Sequence, residues 1–357
     1  MKISQATSAL IGVCIGANWM AAANALDRAP LFIPRTGMQF TTAFTNDFGK
    51  DAESLTTITA VNENAISIEY SSSRGVSVKR DLRATDRQDA TSYVLGYEAD
   101  MPTVIPGSTS LGISAQVLAE LRTTGRSRLT LIYSPKLASI DCNLTRVAEN
   151  RTMNLILEDR VIDVAALHAR AECGEGTRTG SGDFYFANDL QQPLLIESIL
   201  KFSWEKQPRT ERITRVIEKL RLHPDMEQSL KTVGNYDAYG LRFDFDSANL
   251  RPESVQLVRE IARMLKAKAN SNWQIKIVGH TDSTGGSDYN FGLSDQRAQA
   301  VRVSLMNEGV EAGRLVSEGR GEGQPKADND TLAGRAINRR VEFRRLDGIG
   351  GRPFESR

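Results

Sequence analysis

At 357 residues, with 40% hydrophobic and 25% charged side chains, the chain has ordinary globular composition and length enough for two or three domains that each bury a core. A formal net charge of +1 gives no long-range field, which excludes bulk attraction to nucleic acid or to an anionic membrane surface and leaves any charge recognition local. The histidines, His168, His223 and His280, are too scattered to assemble a metal site with the few cysteines.

In chain order, the first feature is Lys2, then an apolar run over 9–17, then Ala21-Ala22-Ala23-Asn24-Ala25, whose small residues at 23 and 25 make an A-x-A cleavage pattern. Residues 1–25 are therefore expected to be a secretory signal peptide. A membrane anchor would need about 20 apolar residues, and Asn18 interrupts the run well before that. Acylation at Cys14 would want a small residue before it, where Val13 stands. Export leaves Cys142 and Cys173 as an even pair in an oxidising space, expected to form a disulfide, with two separate buried thiols as the alternative.

Residues 26–204 read as strands, with alternating or β-branched runs at 54–61, 65–70, 76–78, 92–97, 128–133, 153–157 and 194–204. Turn chemistry punctuates them at Asn62-Glu63-Asn64, Ser73-Arg74-Gly75, Pro106-Gly107 and the glycine-rich stretch 174–182. A helix is expected over 113–121, with Val117, Leu118 and Leu121 on one face. The pattern describes a mostly antiparallel β domain, a curved sheet wrapped around one helix. Its charge-interrupted runs and 6% aromatic content do not match the lipid-facing alternation and aromatic girdles of an outer-membrane barrel.

Residues 205–224 are expected to be a helical connector, because Ile213, Val216, Ile217 and Leu220 fall on one helical stripe and His223-Pro224 would end it. Beyond it, 225–346 alternates β and α elements: a helix over 226–233, a strand over 236–245, and a helix over 253–266 opened by Pro252. Next come a strand over 275–278 closed by Gly279, and a helix from an N-cap at Ser294 to 306 with Ala298, Val301 and Leu305 on one face. Strands at 315–319 and 339–344 flank a short helix at 331–336, and 347–357 is expected to be a flexible tail. The expected class is α+β, with a two-layer sandwich of one mixed sheet and helices on one face following the β domain.

Within 236–345 several short motifs occur in order. They are Phe243-Asp244-Phe245-Asp246-Ser247, Gly279-His280-Thr281-Asp282 with Gly285, Asn290, and Leu293-Ser294 with Arg297-Ala298. Gly319 with Gly321-Glu322, Pro325, Asn329, Gly334-Arg335-Ala336 and Asn338-Arg339-Arg340-Val341-Glu342 follow. Together they resemble the OmpA-like C-terminal domain, a peptidoglycan-binding module of bacterial envelopes, over residues 225–346. The resemblance implies a βαβαβ sandwich in which Asp282 and Arg297 clamp diaminopimelate of the peptidoglycan stem peptide. The carboxylate would meet its ammonium and the guanidinium would fork its carboxylate.

An aspartate just past a strand and an arginine in the first turn of a helix opening at Ser294 would share one pocket, and the helix N-terminus would add donors. Thr281, Ser283 and Thr284 offer hydroxyls and backbone donors at its wall, and Asn290 would orient the loop. Asn329 and Arg335 are secondary candidates that either reach the ligand or brace the Asp282 loop. His280 is expected to be a buried structural residue, and Arg339-Arg340 a brace or a solvated edge.

Neither a paired-carboxylate site nor a G-x-S-x-G elbow is visible, so neither catalysis nor a cofactor is expected. The expectation is an exported, periplasmic protein that tethers its β domain to the wall. Two alternatives give the β domain the main activity: an adaptor docking an outer-membrane protein or lipoprotein, or a carrier of a lipid or other hydrophobe.

Overall fold

The computed structural model describes residues 32–347 except 46–50, 73–74, 97–99, 134–137, 219–221, 223 and 245. The expected signal peptide, the tail from 348 onward, and Ser73, Arg74, Tyr97, Leu220, His223 and Phe245 lie outside the described residues. The described part of the β region opens with β1 (Gln39–Thr45), β2 (Asp51–Val61), β3 (Ala65–Ser72) and β4 (Ser77–Arg83), followed by α1 (Ala84–Asp89) and the short β5 (Ser92–Val94) and β6 (Ser108–Thr109). Helix α2 (Ala115–Thr124) precedes β7 (Arg126–Ile132), β8 (Ser139–Leu157), β9 (Arg160–Glu175), β10 (Arg178–Ala187), β11 (Leu195–Phe202) and β12 (Arg209–Ile217).

Among the described residues these strands form one twelve-stranded sheet in the order β4-β3-β2-β1-β12-β11-β10-β9-β8-β7-β5-β6. The far end of β8 also pairs in parallel with β12, Ile156 opposite Arg215 and Leu157 opposite Val216, so β8 through β12 close on themselves. The expected helix is α2. Ser114 caps it by accepting the Val117 N–H at 3.2 Å, and Gly125 ends it at φ 75°. Its Val117, Leu118 and Leu121 are fully buried against Leu129, Leu144, Phe184, Phe186 and Leu200, each such side chain contributing about 1.5–3 kcal/mol. Cys142 and Cys173 face each other across β8 and β9 with α-carbons 3.9 Å apart and are bonded, as the sequence led us to expect.

Two expectations in this region are overturned. The stretch expected as a helical connector is strand β12, central in the sheet between β1 and β11. Thr210, Ile213, Thr214, Val216 and Ile217 are β-branched, and 212–217 is buried throughout, so the alternation that marks a half-exposed strand is missing. The glycine-rich stretch expected as a turn is mostly strand, ending β9 and opening β10, and it turns at Gly176 and Thr177. Gly182 lies in the strand because β11 crosses so close that a Cβ would sit 2.0 Å from the Ile199 carbonyl oxygen.

The C-terminal module runs α3 (Asp225–Thr232), β13 (Asn235–Ala238), α4 (Pro252–Lys266), β14 (Ile275–Gly279), α5 (Ser287–Asn307), β15 (Leu315–Gly319), α6 (Leu332–Asn338) and β16 (Val341–Arg345). Its sheet is ordered β13-β16-β14-β15, with only β14 and β15 parallel, so it is mixed as expected. Leu257, Ile261 and Leu265 of α4 and Val301 and Leu305 of α5 share a core with Ile275, Ile277 and Phe343. Helix α6 departs from that arrangement and packs Ala336 and Ile337 on Ile156 of β8, joining module to β region. Pro252 is at the start of α4 as expected, but α5 begins at Ser287, and Ser294 lies inside it.

The β8–β9 hairpin tip is driven into the module. Asp159, 1% exposed, accepts from the Gly240 N–H and from the Tyr236 hydroxyl, while Arg215 donates to the Tyr239 carbonyl. Burial pushes the Asp159 carboxyl up to about 7, against those two donors and the Arg215 charge. An acid raised above its ordinary value of 3.8 binds a proton on folding, so its contribution to stability falls as pH rises from about 4 to 7 and is constant above. The unfolding free energy of the wild type minus that of Asp159→Asn is therefore expected to drop by up to about 1.4 kcal/mol per pH unit in that window. Urea melts from pH 5 to 8 measure it, and a flat difference would refute the assignment.

Candidate functional site

Residues 280–286 after β14 form a loop over the C-terminal edge of the parallel pair β14–β15, the side of such sheets where ligands are held. The Thr281 N–H donates to the Gly321 carbonyl, which pins the loop to the turn after β15. Asp282 is 6% exposed. Its Oδ1 accepts the Thr284 N–H at 2.8 Å, and its Oδ2 accepts from Arg339 Nη1 at 2.6 Å. His280, buried beneath the loop, pairs its Nε2 with Glu342 Oε2 at 3.2 Å. Burial holds its pKa below the ordinary value despite that partner, consistent with a structural role.

Arg297 projects from α5 toward the same space. Its Nε donates to the Ser247 carbonyl at 2.9 Å, and its guanidinium lies over the Phe243 ring, 5.1 Å from the centroid. Burial and the neighbouring Arg339 lower its pKa while Asp282 opposes them, and a guanidinium starts high enough to stay charged. Arg297 is not in the first helical turn, because α5 opens two turns earlier than the sequence suggested. The expected assistance at Arg297 from the helix N-terminus is thus withdrawn, since that effect dies away within the first turn.

Asp282 and Arg297 line one cleft of about 800 Å³ together with Thr281, Thr284, Asn290 and Arg335. Ser283 and Asn329 are not part of its lining. The Ser283 N–H donates to Asn329 Oδ1, which also accepts from Asn338, and Arg335 Nη1 donates to the Asn329 carbonyl at 2.6 Å. Asn329 thus braces the loop from behind. Asn290 donates to Glu322, tying α5 to the turn after β15. Thr281 is 5% exposed, and among the described residues its hydroxyl has no hydrogen-bond partner. A buried hydroxyl without a partner is uncommon, and this one is closed off from solvent within the loop.

Sequence reasoning missed several cleft residues. Arg339 is a brace, one of the two roles the sequence left open, and it acts inside the cleft by gripping Asp282. Arg340, next to it, is buried the other way on Asp237. Because successive residues entering a strand face opposite sides, the doubled arginine carried that information. Glu53 of β2, paired with the other arm of Arg339 at 2.7 Å, is 286 residues away in sequence, and no local pattern marks it.

The chain matches the OmpA family over residues 242–339. It is 43% identical over 113 residues to outer membrane protein A of Bordetella avium, which covers 32% of this chain and 56% of that protein. It is 36% identical over 103 residues to a peptidoglycan-associated lipoprotein of Pseudomonas putida, covering 29% of this chain and 60% of that one. The peptidoglycan-associated lipoprotein structure from Burkholderia pseudomallei aligns at 33% identity and a TM-score of 0.28, over 29% of this chain and 87% of that chain. The chain thus spans little more than half the length of these two curated relatives.

Because Asp282 is buried and its ionic partner is Arg339, Arg339→Ala leaves a desolvated carboxylate behind. Chemical denaturation is expected to show a loss of about 1–3 kcal/mol. An unchanged midpoint would mean that the pair is not holding the loop.

Proposed function

Residues 242–339 being a domain of the OmpA family, we propose that this protein binds peptidoglycan in the bacterial cell envelope without catalysing a reaction on it. The ligand group is the free amino-acid end of diaminopimelate in the stem peptide, its ammonium at Asp282 and its carboxylate at Arg297. The observation that carries the reading is the convergence of these opposite charges on one cleft. A zwitterion is the ligand class whose charges are both met there, in a partly desolvated space where such pairs are worth more than in water. The names of the relatives, an outer membrane protein and a peptidoglycan-associated lipoprotein, agree with this compartment and ligand. On this reading the protein is exported to the periplasm, and the β region is what the module fastens to the wall.

Co-sedimentation with purified sacculi tests the proposal. The Asp282→Ala, Arg297→Ala double variant is expected to lose at least about tenfold in affinity, the equivalent of 1.4 kcal/mol. A variant that pellets like the wild type would sink the reading.

A further inference from the structure

The wall of the cleft opposite the Asp282 loop is built by the β region, including Ala52, Glu53, Ser54 and Ser71. Among the described residues lining that wall, Glu53 alone is charged. Its Oε1 takes Arg339 Nη2 at 2.7 Å while Arg339 Nη1 holds Asp282 at 2.6 Å, and its Oε2 lies 3.8 Å from Arg242 Nη2. One guanidinium is therefore shared between the acid of the module and an acid of the β region. Glu53 is 33% exposed at its side chain, so its charge is felt inside the cleft but is partly screened by solvent. Burial pushes its pKa up, yet Arg339, Arg242, Arg215 and Arg251 together hold it below the ordinary carboxylate value, so it is ionised at neutral pH.

The cleft is lined by Arg242, Arg251, Arg297, Arg335 and Arg339 against Glu53, Asp244, Asp246 and Asp282, five cations to four carboxylates. Without Glu53 the same lining stands at five to three. Loss of that charge acts twice against a ligand ammonium. The cleft becomes more positive, and the Arg339 charge, no longer divided with Glu53, bears more fully on Asp282, the acid the ammonium needs. Both effects favour a plain anion.

We propose that Glu53, supplied by the β region, determines the specificity of the cleft: by sharing Arg339 with Asp282 it makes the site select a zwitterionic amino-acid end over a simple dicarboxylate. This inference rests on the wall-binding reading above. The β region is then part of the receptor as well as its cargo.

Titration of the full chain with free diaminopimelate and with pimelate, the same carbon chain without the amino groups, reads the selectivity directly. Wild type is expected to prefer diaminopimelate, and Glu53→Gln to reduce that preference at least about tenfold, the size of one charge acting across a few ångströms with nearly aqueous screening. Glu53→Asp keeps the charge and should keep most of the preference. A ratio in Glu53→Gln equal to that of wild type would overturn the proposal, as would a fall in Glu53→Asp as large as in Glu53→Gln, because packing rather than charge would then be at work. Wild type binding neither diaminopimelate nor sacculi would instead bring down the wall-binding reading, and this inference with it.

Discussion

The ligand face of the module depends on how closely α5 can approach the ends of β14 and β15. Both strands end in glycine at the point of contact. A Cβ on Gly279 would lie 2.0 Å from the Ser294 carbonyl oxygen, and one on Gly319 would lie 2.6 Å from the Ser294 hydroxyl. Ser294 is buried in that contact with its polar group satisfied, donating to the Phe291 carbonyl and accepting the Gly321 N–H, each at 2.8 Å. One turn further along α5 comes Arg297, on nearly the same face. The glycines therefore fix the height at which Arg297 stands, and the loop that leaves Gly279 carries Asp282 to meet it. A side chain at either glycine would lift the helix and separate the two charges.

A second constraint runs across the junction with the β region. Exposed ion pairs contribute little, because solvent screening and side-chain entropy offset them. Those at this junction are at least partly withdrawn from water, and they are joined in series through Asp282, Arg339, Glu53 and Arg242. The hairpin tip carrying Asp159 and the buried Arg215 add fixed contacts below them, and Ala336 and Ile337 of α6 add apolar packing. Strand β2 is thereby held at a set distance from the Asp282 loop, and the space between them is the cleft.

How much of this the sequence disclosed follows from the range of the interactions. The module's strands at 275–278 and 315–319, the core-facing stripe on α5, and the Asp282 and Arg297 pair were legible because each depends on short spacings or on motifs in order, whereas the strand expected over 236–245 stops at Ala238. The start of α5 was not. Tyr289 and Phe291 in its first turns are exposed, Phe291 by 58%, so the apolar periodicity begins only where the helix meets the sheet, near Ser294. Strand β12 was hidden for the converse reason, burial on both faces, and β10 because glycines needed for close strand approach resemble glycines needed for turns. Thr281 was named from its place in the motif, but that its hydroxyl is buried without a partner required the packing around it.

Charge behaves alike at two scales in this molecule. The whole chain carries +1, and the cleft balances five guanidinium groups with four carboxylates, so neither projects a strong field beyond about a Debye length, 8 Å at physiological salt. A site of that kind does not gather ligands by attraction from a distance. On the proposed reading it discriminates at contact, an ammonium meeting Asp282 and a carboxylate meeting Arg297 at the separation set by the Gly279 and Ser294 contact. Near-neutrality removes the reward for any anion that presents charge without that spacing. The same balance explains why an acid from the β region belongs in the cleft. Five arginines face one space, the fourth carboxylate comes from Glu53 of β2, and on the proposed reading that acid is what keeps the site selective.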